Sequence, residues 1–305
     1  MNIFNLFTNK TDKIASTHLG KKSAISSTYD SSLLVAVPRE YNRKHYDIDN
    51  SNLPFDGWDV WHAYEFSCMT ENGVPITRVL KLKYSCNSLN IVESKSLKLY
   101  LNSFNMFRIG STVQESLELC IELIKVDLQE VLREPVFVEF LDNNSKSIQI
   151  FEKYVDIMTL VDETSLQVDS YKEAPELLQV VSNSSKNSKY LMFDSLRSNC
   201  RVTHQPDFGD VYIYYNSKKS IDEASLIKYL VSFRNEYHFH EECCEMIFKR
   251  LNDLLDVGDE LFVCCLYTRR GGIDICPARW SKGLDVDDCQ GLLDISKLAR
   301  SGIKQ

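Results

Sequence analysis

Two stretches of this chain pass through the same order of hydrophobic periods, and that order constrains the fold more than any single motif. In the first, residues 58–68 are aromatic-rich and strand-like. Glu71-Asn72-Gly73 then reads as a turn, since Asn-Gly tolerates positive φ, and residues 76–84 alternate apolar with polar side chains. A hairpin is predicted, followed by a short helix over 96–105. A longer helix starts at Thr112, with Glu115 in the capping-box position and Leu117, Cys120, Ile121, Ile124, Leu128 and Val131 on one face. Arg133-Glu134-Pro135 ends it. Residues 136–141 and 148–154 read as strands around a polar turn.

The second stretch repeats the order. Residues 190–202 and 211–215 are strand-like. Ser220 and Glu223 read as a capped helix start with Leu226, Leu230 and Phe233 on one face. A further helix from about His238 carries Cys244, Ile247, Phe248, Leu251 and Leu255, and strands over 261–268 and 272–275 finish it. Each half is thus β-β-α-α-β-β, an α+β class with antiparallel sheets and helices on one face. The expected division is an irregular arm over 1–57, a first module over 58–180, a Ser/Asn-rich linker over 181–189 and a second module over 190–305. There is no βαβ alternation and no GxGxxG after a strand, so a dinucleotide would not bind in a Rossmann crevice.

Composition narrows the function. The 305 residues are 44% hydrophobic, enough for a sizeable core. Charge is 35 basic against 43 acidic, a net of −8, which argues against a phosphate-tracking nucleic-acid binder but leaves a small nucleobase open as ligand. No apolar run approaches the roughly 18 residues that span a bilayer. Residues 1–22 lack the apolar core of a secretory leader, so the expected location is the cytoplasm. Without such a leader the 10 cysteines read as reduced thiols, and none forms a CxxC pair.

Four segments hold candidate chemistry. Around Ser198-Asn199-Cys200, the run Gln205-Pro206-Asp207-Phe208-Gly209 looks like a turn that folds Asp207 back toward Cys200. That would set a thiolate nucleophile beside a proton-donating carboxyl, with Arg201 and His204 favouring the thiolate. The plainer reading is a structural cysteine and a turn-capping aspartate. In residues 92–100, Glu93, Ser94, Lys95, Ser96 and Lys98 gather at a helix start. They suit either a heterocycle and a phosphate or an ordinary capped helix with a charged face. His238, His240, Cys243 and Cys244 invite a zinc reading, but 238 and 240 point to different sides of a helix. A ligand contact by His240 and Glu241 fits better. Arg269-Arg270-Gly271-Gly272 is either a phosphate clamp or a basic surface turn.

Taken together these segments resemble the queuosine-pathway nitrile reductases, the 7-cyano-7-deazaguanine reductase family in its long, two-module form. The resemblance rests on residues 93–105, 198–207, 233–243 and 267–274, with Leu19-Gly20-Lys21, Tyr29-Asp30 and Val37-Pro38-Arg39 in the arm, and fades after Trp280. It implies a tunnelling fold of two tandem modules, a homodimer joined through its sheets, and a site between modules. It also implies that Cys200 attacks the nitrile carbon to form a thioimide while Asp207 protonates the nitrogen. Val92, Glu93, Ser94, His240 and Glu241 would hold the deazapurine, and Ser94, Lys95, Arg270 and Gly271 would hold NADPH. No metal and no direct nucleic-acid contact are implied. Phe208 stands where tryptophan is usual, Cys276 where asparagine is common, and Cys244 adds a thiol. The alternatives are a cyclohydrolase-like pterin or purine enzyme, which would carry zinc, and a base-binding module without catalysis.

Overall fold

The computed structural model describes residues 28–302 and Lys304, so Leu19, Gly20 and Lys21 lie outside the described residues. The arm contributes β1 (Ala36–Pro38) and α1 (Glu40–His45). The hairpin of β2 (Asp56–Met69) and β3 (Pro75–Ser85) follows, then β4 (Asn90–Val92), α2 (Ser94–Asn102), α3 (Val113–Leu132), β5 (Val136–Leu141), β6 (Ser147–Gln149) and β7 (Val155–Asp156). The second half runs β8 (Val180–Cys200), β9 (Pro206–Ile221), α4 (Glu223–Val231), β10 (Tyr237–His238), α5 (His240–Leu254), β11 (Glu260–Tyr267) and β12 (Ile273–Trp280). A tail adds α6 (Gln290–Leu293) and β13 (Leu298–Arg300).

The architecture is α+β, with antiparallel pairing dominant. One sheet runs β10-β8-β9-β11-β12-β2-β3-β5, with β7 beside β8. The two halves meet where β12 pairs with β2, from Ile273↔Ala63 to Trp280↔Asp56. Strand alternation then sorts side chains to two faces. On one face Trp61, Leu80, Leu82 and Ile275 pack under α2 and α3, and Leu196, Val211, Ile213 and Val263 pack under α4 and α5. Of the stripe expected on α3, Leu117, Cys120, Ile124 and Leu128 are buried at helical spacing; Leu132 joins them, while Ile121 and Val131 are only partly buried. Arg133, at φ 57°, closes the helix and donates its N–H to Gln129.

The opposite face is not open to solvent. Val60, Tyr212, Phe262, Cys264, Cys276 and Trp280 are covered by Ile150, Phe151, Leu292, Leu293 and Ala299, most of them from the tail. Lys81 and Lys83, the polar half of the alternation in β3, point into this layer. The Lys81 ammonium donates to the carbonyls of Asp294 (2.8 Å) and Lys297 (2.7 Å), and Lys83 donates to that of Leu293 (2.6 Å). Burial pushes Lys81 down to about 8.

Several local expectations are corrected. The polar run over 181–189 is not a linker but lies within β8, with Val180–Ser182 paired to Ile221–Lys219 and a register slip before Asn187. Its exposed side chains allow the polar composition, while the ladder bonds that hold it leave no trace in hydropathy. The strand over 148–154 shrinks to β6, which leaves the main sheet to pair with β13 in parallel. Asp222, not Ser220, caps α4, accepting from the Ser225 N–H at 2.7 Å. Thr112 does cap α3, but the Glu115 carboxylate bonds Ser111 rather than completing the box. Residues 206–209 are strand, and the chain reverses at 201–204 instead. Among the described residues, no helix is long and apolar enough to cross a membrane.

Candidate active site

The β8–β9 hairpin brings Cys200 and Asp207 to one place by register rather than by a turn at Pro206. Ser198 lies opposite Asp207, so Cys200, two residues on, shares its face. The Cys200 N–H donates to the Gln205 carbonyl (2.8 Å) and the His204 N–H to the Cys200 carbonyl (2.9 Å). His204, a non-glycine at φ 56°, closes this reversal. Next to Cys200, β10 pairs in parallel with β8, His238 against Cys200, and feeds directly into α5. That step sets His240 and Glu241 at the helix start beside the thiol. Asp207 is buried while Cys200 is half-exposed.

The first half supplies the other wall. β4, tied to β1 of the arm, ends at Val92, and Glu93, the next residue, caps α2. Its Oε1 accepts from the Lys95 N–H (3.0 Å) and its Oε2 from the Ser96 N–H (2.7 Å). Burial raises the Glu93 carboxyl, against the pull of those two N–H groups. The cap role predicted for this segment and the ligand role are therefore compatible, since each carboxylate oxygen keeps a second lone pair.

These walls enclose a cavity of about 370 Å³. It is lined by Val92, Glu93, Ser94, Lys95, Cys200, Asp207, His240, Glu241, Arg270 and Gly271, so every site residue expected from the sequence reaches it. Trp61, Lys98, Thr203, Gln205, His238, Phe239, Ile273 and Ile275 complete the lining. Lys98 sits in a segment already singled out by its charges. Trp61, Ile273 and Ile275 are strand residues whose composition signals only a core face.

Polar groups inside are closely coupled. Glu241 is buried, its Oε1 lacks a hydrogen-bond partner among the described residues, and burial beside Asp59 pushes its carboxyl up to about 8. The His240 ring stacks on Tyr267 with centroids 3.7 Å apart, and burial holds it neutral, down to about 3. Its Nε2 lies 3.4 Å from Asp207 Oδ2. Arg270 contacts the other Asp207 oxygen and donates to Gln205 Oε1 at 3.0 Å. Lys98 donates to the Gly271 carbonyl. Arg201, expected to favour the thiolate, is engaged with Glu242 (3.3 Å) and the Tyr237 carbonyl (3.2 Å). Cys244 is buried against the carbonyls of Val263 and Pro277. His238 pairs with Glu236 at 3.1 Å.

A separate buried group, His62, Asp274 and Cys276, lies on the tail-covered face, away from the cavity. His62 Nδ1 is 2.7 Å from Asp274 Oδ1 and the Cys276 thiol 3.7 Å from the same oxygen.

The cavity gathers a half-exposed thiol, three buried carboxyls and a cationic rim, the kind of small polar pocket that suits an enzyme site. Residues 25–140 match the family described as "Nitrile reductase, 7-cyano-7-deazaguanine-reductase N-term", and residues 206–283 match "QueF-like protein". The chain belongs to this nitrile reductase family. Its relatives include an NADPH-dependent 7-cyano-7-deazaguanine reductase of Colwellia psychrerythraea, 39% identical over 266 residues, covering 86% of this chain and 91% of the relative. A protein of the same name from Rickettsia canadensis is 39% identical over 270 residues, covering 87% of this chain and 93% of the relative.

Proposed function

We propose that this chain reduces the nitrile of 7-cyano-7-deazaguanine to the primary amine of 7-aminomethyl-7-deazaguanine, a step toward queuosine in tRNA, with NADPH as co-substrate. The observation that carries this reading is the convergence of Cys200 and Asp207 on one cavity with Glu93 and Glu241 in its walls. A nitrile is a weak electrophile. The Cys200 sulfur forms a bond to its carbon while Asp207 gives a proton to its nitrogen, leaving a thioimide C=N. A first hydride adds to that carbon and the C–S bond then breaks with its electron pair on sulfur, returning the Cys200 thiolate and an imine. A second hydride and a proton complete the amine, so two NADPH and two protons are consumed per nitrile. NADPH supplies the hydrides and the residues below only position it.

Glu93 and Glu241 accept the N–H groups of the deazapurine, with Val92, Ser94 and His240 against its edge and face. Ser94 at the start of α2, Lys95, Arg270 and Gly271 take NADPH. A helix N-terminus and two cations suit its phosphates. The fold is read as a tunnelling fold of two tandem β-β-α-α-β-β modules. Assembly is read as a homodimer joined through sheet edges, of which β5 presents one with Phe137 half-exposed. The tunnelling-fold reading is supported by the family, the element order and the shared sheet. The expected setting is the cytoplasm.

The test is NADPH oxidation with a limiting amount of the cyano base. Two NADPH should disappear per nitrile, and Cys200→Ala should lower the rate by roughly three orders of magnitude or more. One NADPH per nitrile, or an unimpaired variant, contradicts the reading.

A further inference from the structure

Arg270 occupies a position that the reaction cannot leave unchanged. Its guanidinium contacts Asp207 Oδ1 and its second arm holds Gln205 Oε1 at 3.0 Å. Asp207 is buried, and among the described residues Arg270 is its one cationic partner. The other groups facing Asp207 are His240 of α5, held neutral by burial, and Ser198 and Cys200 of β8. An opposite charge at contact favours an ionised carboxylate. A proton donor, however, has to carry its proton. The same arginine also lies where the phosphates of NADPH are expected.

Arg270 opens a tight glycine turn at the rim of the cavity. Arg270 N–H donates to the Ile273 carbonyl (2.9 Å), which ties the backbone, and Gly271 (φ 59°) and Gly272 (φ 82°) form the reversal. The Arg270 side chain is 37% exposed against 4% for Asp207, so the cation sits at the rim and the acid inside.

Resting on the function proposed above, we infer that Arg270 is a partner-switching positioning residue: it pairs with Asp207 when no NADPH is bound and moves to the NADPH phosphates on binding, releasing Asp207 to hold the proton it delivers. Cofactor binding then arms the acid. The Asp207 carboxyl is left buried among uncharged groups, which favours its neutral form.

The readout is Cys200 adduct formation, which needs no hydride, followed by intact-mass spectrometry with the cyano base across a pH series. NADP⁺ serves as a non-reducing probe. In the unaltered protein the adduct rate should fall as pH rises through Asp207 ionisation, and NADP⁺ should move that fall upward by about one pH unit or more. In Arg270→Ala the fall should already lie at the higher pH and NADP⁺ should not move it further. Arg270→Lys, which keeps the charge, should restore the lower position. An NADP⁺-induced displacement that persists in Arg270→Ala, or identical pH profiles for the two proteins, overturns the inference. Absence of any adduct at every pH overturns the nucleophile reading itself, and the inference with it.

Discussion

Glu241 combines burial, an unpartnered oxygen and a carboxyl raised to about 8, all of which a stability-optimised residue would avoid. Because its folded value lies above the ordinary 4.5, the folded state keeps a proton that the unfolded chain has lost between those two pH values. Stability is therefore full below about 4.5 and declines as pH rises through about 8. Glu241→Gln should flatten that decline, giving a higher melting temperature than the unaltered protein at pH 8.5 but not at pH 4. Measured by calorimetry at neutral pH on a Cys200→Ala background, the same change should weaken base binding by roughly 2- to 10-fold, the worth of a hydrogen bond between uncharged groups. Unchanged affinity would remove Glu241 from the base site. At this scale the sequence was informative where chemistry needs a rare residue: Cys200, Asp207, Glu93, His240 and Arg270 all reach the cavity. It was silent on the Arg270–Asp207 pair, which joins side chains 63 positions apart.

Secondary elements were legible where hydropathy has one dominant face. The α3 stripe and the β2–β3 hairpin fall close to their predicted limits, because one side is core and the turn at Gly73 (φ 82°) announces itself. Elements failed where pairing, not composition, decides. The start of β8 is polar and exposed yet laddered to β9, and the approach of Asp207 to Cys200 comes from strand register and a His204 reversal that no glycine or proline marks. Alternation in β3 says nothing of what its polar side meets, and Lys81 and Lys83 there hold the backbone of the tail. A lysine that donates to carbonyls leaves the same sequence signal as one in water. The tail, where resemblance to the family fades, thus serves as the second layer of the sheet.

Across the whole molecule, a buried ion network ties the arm to both halves. Glu245 of α5 faces Arg43 (2.7 Å) and Arg39 (3.4 Å) from the arm and Arg279 (2.9 Å) from β12, and Asp59 of β2 faces Arg39 and Arg279. Burial pushes the Glu245 carboxyl up, but the three guanidiniums override it and hold it well below its ordinary 4.5. Its stabilisation is therefore present above about 4.5 and is lost as pH falls below that value. Glu245→Ala leaves three buried cations facing one carboxylate and should cost about 3–5 kcal/mol in chemical denaturation at neutral pH. A loss below about 1 kcal/mol would show the network to be incidental. The network also underlies the site, since Asp59 and Arg39 act on Glu241. One sheet with its seam at β12–β2 thereby brings Glu93 from the first half to face Cys200 and Glu241 from the second across one cavity. That this cavity makes a carbon–sulfur bond is tested most directly by mixing the protein with 7-cyano-7-deazaguanine and non-reducing NADP⁺, without NADPH, and mapping the product by peptide mass spectrometry. The expected result is one equivalent of the intact base on Cys200 and none in Cys200→Ala. A protein that stays unmodified, or carries the base on another residue, would contradict it.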